Sequence, residues 1–250
     1  MTQERTREWT DGTHREYHER QFERVYRSTV HFCDWAERLG FLGGQAERRI
    51  LDVGAGLGAN AAYMAERFPG TRVVGMDLSE ELVAGGNEIL RNRGIANAEL
   101  IQGDLFALPA NFRGAFDGVV SYQVLSWLPD YRAALQALAA LDVGWIAATS
   151  LFYEGDIDCT IQVRDYTTPA SGQAFRDTYY NVYALPRVQA LCAELGYPAF
   201  HRTRFEIDVD LAAPATGGMG TYTERLADGR RLQISGPLLM PWYFVLAARS

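Results

Sequence analysis

The 250-residue chain contains no lysine; all 24 of its strongly basic side chains are arginine. That excludes a Schiff-base lysine and a phosphate loop ending in GK[ST]. Cysteine is also scarce. Cys33, Cys159 and Cys192 are odd in number and far apart, which fits neither a disulfide framework nor zinc-ligand spacing. Positive charge is in the minority: 31 acidic residues leave a net charge of −7, so the chain lacks the footprint of a nucleic-acid binder. No apolar run reaches the length of a membrane span, and the opening MTQERTREWTDGTHREYHER is too polar for a secretion signal. Repeats and low-complexity tracts are absent. The expectation is a cytoplasmic protein, monomer or homodimer, whose partner is a small molecule and neither a nucleic acid nor a membrane.

What the chain does have is an alternation of two periodicities. Residues 16–39 carry Phe22, Val25, Phe32, Cys33, Ala36 and Leu39 at helical spacing before Gly40, which predicts one amphipathic helix ahead of the first strand. From Arg49 onward RILDV, RVVGMDL, AELIQGD, FDGVVSYQ and VGWIAATSLF read as strands, and the segments 59–67, 80–93 and 130–141 as helices. Ser79 suits an N-cap, and Gly94 suits a helix stop. This alternation predicts an α/β protein, a parallel sheet with helices on both faces. After Phe152 the rhythm changes. Residues 153–180 are polar and aromatic without a period, 185–195 read as a helix, and FHRTRFEIDVDL as a strand. GTYTERLADGRRLQISG reads as a hairpin turning at Asp228-Gly229, and WYFVLAARS as a closing strand. The expected organisation is a single domain: residues 1–48 a helical lid, 49–152 the core, and 153–184 with 208–240 insertions capping the carboxyl ends of the strands.

The stretch RRILDVGAGLGANAAYMAER puts Gly54, Gly56 and Gly58 at a strand-to-helix turn, with Asp52 two positions before the first glycine. Gly54-x-Gly56-x-x-Ala59 satisfies the dinucleotide fingerprint, so an NAD-dependent oxidoreductase is one reading. Asp52 weighs against it, because a carboxylate there repels a pyrophosphate and attracts an ammonium or a sulfonium. Asp77 ends the second strand, where a carboxylate accepts from ribose hydroxyls under either reading. Asp104 follows the third strand and suits an adenine amino group, with Leu105 as an apolar wall. A dinucleotide fold does not need this third acid.

These residues resemble the class I S-adenosylmethionine-dependent methyltransferases of small-molecule type. LDVGAGLG is similar to the family's first motif, VVGMDLS to its second, IQGDL to its third and FDGVVSYQVLSWL to its fourth, in the family's order from about Arg49 to Leu141. The ending WYFVLAARS is similar to the family's reversed last strand. The resemblance implies a Rossmann-like doubly wound fold, a mostly parallel seven-stranded sheet with its last strand reversed, and S-adenosyl-L-methionine as cofactor. It implies Gly54, Gly56 and Gly58 along the methionine part, with Asp52 supporting that loop and the amino group. Asp77 would hold the ribose with Leu78 against the adenine, and Asp104 and Leu105 the adenine edge. Ser121 would offer a carbonyl near the ammonium, with Gln123 just beyond. Solvated strand ends are the alternative for the acids, and ordinary loop polarity for Ser121 and Gln123.

Methyl transfer is an in-line displacement that needs an aligned acceptor and little water, and a base only when the acceptor must lose a proton. The catalytic residues are therefore poorly marked in sequence. Tyr17, Tyr26 and His31 are candidates to line a lid, Arg27 to pair with the cofactor's carboxylate, and His31 to act as a base. His14, His18 and His201 read as exposed or structural. Asp156 and Asp158 resemble half a metal site, although a solvated acidic loop explains them as well. Tyr166, Tyr179, Tyr180 and Tyr183 suit either a pocket wall or core packing. SYQV stands where DNA amino-methyltransferases carry an NPPY-like tetrapeptide, and no double-glutamate loop of the protein arginine type is present. The expected acceptor is a small molecule such as a sugar or secondary metabolite, at an O, N or C atom. A non-catalytic nucleoside-binding relative, and transfer of a group other than methyl, stay open.

Overall fold

The computed structural model describes residues 21–44, 46–167, 174–215 and 217–249. Tyr17, His14 and His18 lie outside the described residues. The central sheet starts with β1 (Arg48–Val53), whose last four residues are fully buried because β2 (Thr71–Asp77) and β4 (Gly118–Tyr122) flank it in parallel register. β3 (Ala98–Gln102) and β5 (Trp145–Tyr153) extend the sheet outward. β6 (Gln162–Asp165), β7 (Arg176–Tyr179), β8 (Tyr183–Ala184) and β9 (Ala199–Arg204) follow in the chain. Then come β10 (Thr221–Arg225), β11 (Arg231–Ser235), β12 (Leu238–Leu239) and β13 (Trp242–Ala248).

The sheet order is β3-β2-β1-β4-β5-β13-β9, with the two-residue β8 added to β5 as an eighth member. β13 runs antiparallel to both β5 and β9, so it alone is reversed in this seven-strand path. This is the doubly wound, mostly parallel arrangement that the sequence predicts. The order reverses direction between β1 and β4, and a crevice opens at the carboxyl ends at such a switch point.

Helices cover both faces. α1 (Arg27–Arg38), α2 (Ala59–Arg67) and α3 (Glu80–Asn92) bury Phe32, Cys33, Met64 and Leu90 on one side. α4 (Tyr131–Ala139) and α5 (Leu185–Glu194) bury Leu135, Leu138, Val188 and Leu191 on the other. Ser79 caps α3, its hydroxyl accepting the Leu82 amide at 3.3 Å.

Three expectations need correction. The first helix is not continuous over 16–39: residues 21–23 are helical, 24–26 are not, and Tyr26 is extended as the N-cap of α1. Arg93 holds the break, donating to the Phe22 carbonyl at 2.8 Å while lying over the Phe22 ring. The strand expected over 200–211 stops at Arg204, and the following Asp208 and Asp210 pair with arginines instead of a strand. The stretch 153–180, read as lacking a period, contains two strands: β6 and β7 pair antiparallel in register Gln162↔Tyr179 to Asp165↔Arg176. The second hairpin, β10–β11, turns at Asp228-Gly229 as read, and β12 extends it.

Candidate active site

A cavity of about 480 Å³ sits at the carboxyl ends of β1 to β4. Its floor is built by the turn after β1. The amides of Gly54 and Ala55 both donate to the Met76 carbonyl, at 2.8 and 3.1 Å, which pins this turn to the end of β2. Gly54 has φ +76°, and a Cβ there would stand 2.4 Å from a Val124 methyl. The collision that requires glycine is thus with the protein's own loop, not with a ligand. Gly54 lines the cavity, whereas Gly56 and Gly58 do not. The Gly56 amide donates to Asp77 Oδ2 at 2.8 Å, and Gly58 is the N-cap of α2, packed against Leu100.

The three acids differ in their surroundings. Asp77 lines the cavity, its second oxygen accepting the Ser79 amide at 3.0 Å. A carboxylate offers about four lone-pair sites, so two amides leave room for hydroxyl donors. Asp104 also lines the cavity; its Oδ1 accepts the Phe106 amide at 2.8 Å as the cap of a short 3₁₀ turn, Leu105–Ala107. Asp52 lies beneath, fully buried, and neither of its oxygens has a hydrogen-bond partner among the described residues. Desolvation, and then the charge of Asp77, push its carboxyl up to about 8. An orphaned buried acid next to a cavity whose rim carries two more is the counterpart of a cationic ligand. The site thereby fits a nucleoside that carries an ammonium or sulfonium.

Leu78, Leu105 and Gln123 line the cavity as expected, and so does Tyr26. Gln123 holds a left-handed φ of +57°, fixed by its amide donating to the Thr149 carbonyl at 2.8 Å. Ser121 is buried and does not reach the cavity, its hydroxyl donating to the Val53 carbonyl at 3.3 Å. Arg27 and His31 are also absent from the lining. The Arg27 guanidinium pairs with Asp208, which holds the Asp208 carboxyl down at about 2. His31 Nε2 is 3.7 Å from the same carboxylate, and its ring meets Phe205 edge-on. Arg27 therefore has an intramolecular partner, and neither Arg27 nor His31 lines the cavity.

The remaining candidates divide. Tyr179 and Tyr180 line the cavity; Tyr180 packs against Trp127 with ring centroids 4.3 Å apart. Tyr166 is exposed, and Tyr183 is buried behind the wall, donating to the Leu128 carbonyl at 2.8 Å. His201 is half-buried beside Phe41. Asp156 pairs with Arg187, and Asp158 accepts the Ala184 amide at 2.7 Å, so neither is set to hold a metal. Sequence reasoning missed Asn60, Trp127, Arg176, Met219 and Ser235, which complete the walls. Arg176 and Ser235 come from the two hairpins that follow the core, and their polar alternation carries no mark of which strand end faces a cavity.

The family described as Methyltransferase domain matches residues 50–141, the segment that builds the glycine turn and all three acids. The malonyl-[acyl-carrier protein] O-methyltransferase of Geobacter sulfurreducens is 29% identical over 76% of this chain and 81% of its own length. Residues 50–141 thus match a methyltransferase domain, and a relative covering three quarters of the chain is named a methyltransferase. A second relative, the trans-aconitate 2-methyltransferase of Deinococcus radiodurans, is 33% identical over 36% of the chain; the chain spans 32% of its length. Among solved structures, the YcgJ protein of Bacillus subtilis superposes with a TM-score of 0.59 at 14% identity, covering 88% of this chain and 99% of that one. The magnesium protoporphyrin IX methyltransferase of Synechocystis PCC 6803, solved with bound SAH, gives 0.54 at 14% identity, with 90% and 83% covered. At that identity these two show the fold alone. Among the described residues no helix is long and apolar enough to cross a membrane.

Proposed function

We propose that the chain is a class I S-adenosylmethionine-dependent methyltransferase, carrying methyl from S-adenosylmethionine to a small-molecule acceptor held under the two hairpins. The observation that carries this reading is the set of three acids: Asp77 and Asp104 at the cavity rim, and Asp52 buried and uncompensated below it. Asp77 accepts the ribose hydroxyls, Asp104 Oδ2 the adenine amino group, and Asp52 offsets the ammonium. Leu78 and Leu105 flank the base. When bound, the cofactor supplies a methyl group activated by its attachment to a cationic sulfur.

The chain's own residues supply alignment and dryness. Trp127, Tyr180 and Met219 give the acceptor half an apolar surface, and the segments 153–184 and 208–240 act as a substrate cap. Burial pushes the phenols of Tyr122 and Tyr180 well up, and Asp177 is held by Arg164 through two hydrogen bonds of 2.7 and 2.8 Å. Catalysis on this reading is by positioning and exclusion of water. The relatives' names support a small acid as the methylated part, free in trans-aconitate and carried on a protein in malonyl-[acyl-carrier protein].

Calorimetry with S-adenosylhomocysteine tests the cofactor half. The intact protein should bind it, and Asp77→Ala should weaken binding by more than about 100-fold, because the ribose acceptor is lost and the Gly56 and Ser79 amides are released together. Binding of NADH in its place would favour the oxidoreductase reading of the glycine fingerprint.

A further inference from the structure

Gln123 is the first residue past β4, beside the point where the sheet order reverses. Its φ of +57° lies in the left-handed region, which residues carrying a Cβ seldom adopt. Among the described non-glycine residues only Asp142, after α4, shares it. The fold holds Gln123 there by its backbone. Its amide donates to the Thr149 carbonyl at 2.8 Å and meets the Thr149 hydroxyl at 3.1 Å, both on the neighbouring β5. Backbone strain that the surroundings hold in place collects at ligand sites, where a side chain has to be aimed. The side chain of Gln123 gives nothing back to the fold. The residue lines the cavity, and its side-chain amide makes no hydrogen bond with any described residue. Asp77, Asp104 and Ser235 on the same walls each accept a backbone amide.

Gln123 stands where the two halves of the cavity meet. Val124, next in the chain, puts a methyl into the space that a Cβ on Gly54 would need, so the glycine turn adjoins on one side. The Leu125–Trp127 turn adjoins on the other, with β7 packed against it and the Tyr180 ring against Trp127. An amide with free donors at that junction can hold an oxygen of the acceptor and fix which way the reacting atom faces. We propose that Gln123 orients the methyl acceptor, its Nε2 donating to an acceptor oxygen, and that the left-handed backbone serves to aim this amide. The proposal rests on the methyltransferase reading above. It assigns acceptors that carry a carbonyl or carboxylate oxygen at or beside the atom that is methylated. Gln123 neither gains nor loses a proton in this role.

The test uses the full chain, S-adenosylmethionine labelled in the methyl group, and a protein-free small-molecule cell extract as the source of acceptor. Gln123→Gly removes the side chain and suits the left-handed backbone, so it should melt no lower than wild type. It should bind S-adenosylhomocysteine within about twofold of wild type, yet transfer label about 100-fold more slowly at limiting extract. Gln123→Asn keeps an amide and also tolerates this conformation, and it should recover part of that rate. Gln123→Glu keeps the shape without the donors and should be as slow as the glycine variant. Labelling at the wild-type rate by the glycine or glutamate variant overturns the proposal. A slower rate matched by a lower melting temperature would make Gln123 structural, and one matched by an equal loss of S-adenosylhomocysteine affinity would give it to the cofactor; either result overturns the acceptor role. A wild type that binds S-adenosylhomocysteine and labels nothing overturns it too. A wild type that does not bind S-adenosylhomocysteine would instead sink the methyltransferase reading itself.

Discussion

Asp52 sits in β1 with both oxygens buried and unpartnered, and its carboxyl is raised to about 8. In the unfolded chain the same group ionises near the ordinary aspartate value, about 3.9. Below that value both states are protonated and the residue is neutral to stability. Between about 4 and 8 only the unfolded chain is ionised, so stability falls as pH rises through this window and then levels off. Asp52→Asn should abolish that slope and stabilise the protein at pH 8 by about 2 kcal/mol, or about 4–8 °C in Tm. Thermal melts across pH 5–9 check this. The same variant should bind S-adenosylhomocysteine more weakly and lose a rise of affinity with pH, because an ammonium favours the ionised form and its binding releases a proton. Calorimetry in two buffers of different ionisation heat reads that proton. A wild-type melt flat from pH 5 to 8 would contradict the assignment. Asp52, Asp77 and Asp104 were legible as a set because each lies within two residues of the carboxyl end of a strand, in chain order. Arg27 and His31 were not, because the Asp208 that engages them lies 181 residues beyond Arg27 and belongs to no local pattern.

At the scale of elements, one buried knot joins the cap to the core. Asn181 donates to the Leu128 carbonyl at 2.9 Å and the Tyr183 hydroxyl at 3.0 Å, and accepts the Ile161 amide at 2.9 Å. Its backbone amide donates to the Ser126 carbonyl at 2.8 Å, and the hydroxyls of Ser126 and Ser150 lie 2.5 Å apart behind it. The loop after β4 and the segment after β7 are thereby locked in one arrangement. Asn181→Ala orphans the Ile161 amide and one acceptor, which should cost about 2–3 kcal/mol in urea unfolding. S-adenosylhomocysteine affinity should change by less than about twofold while the acceptor KM rises about tenfold, since the knot positions the acceptor wall and leaves the β1–β3 ends alone. A KM unchanged at lowered stability would make the knot purely structural. The core elements were readable because buried parallel strands and amphipathic helices each print a period. β6 and β7 print none: QVRD and RDTY are polar, and their pairing is fixed by tertiary contacts. The break at 24–26 escaped for a similar reason, since Arg93 enforces it from 71 residues away.

For the whole molecule, cohesion is graded from the sheet outward. β1, β4, β5 and β13 are buried on both faces between two helical layers. The β6–β7 hairpin and the β10–β12 sheet stand apart from the central sheet, and two- or three-stranded sheets are marginal alone. Amides of the central strands should therefore exchange with solvent only on global unfolding, while those of the two cap sheets exchange by local opening at a lower free energy. Ligands should act on these layers unequally. Saturating S-adenosylhomocysteine, at about 100 times its Kd, should add about 2.7 kcal/mol to global stability and slow exchange in the Gly54–Gly58 turn and at the ends of β2 and β3. On the proposed function the cap sheets should slow only when an acceptor is added as well, because Thr221 and Ser235 line the cavity from the β10–β12 sheet and the glycine turn does not touch them through any strand pairing. Exchange followed by mass spectrometry resolves these segments. Cap and sheet exchanging at one common rate, or a cap protected fully by the nucleoside alone, would mean that the hairpins belong to the cofactor site and not to a separate acceptor chamber.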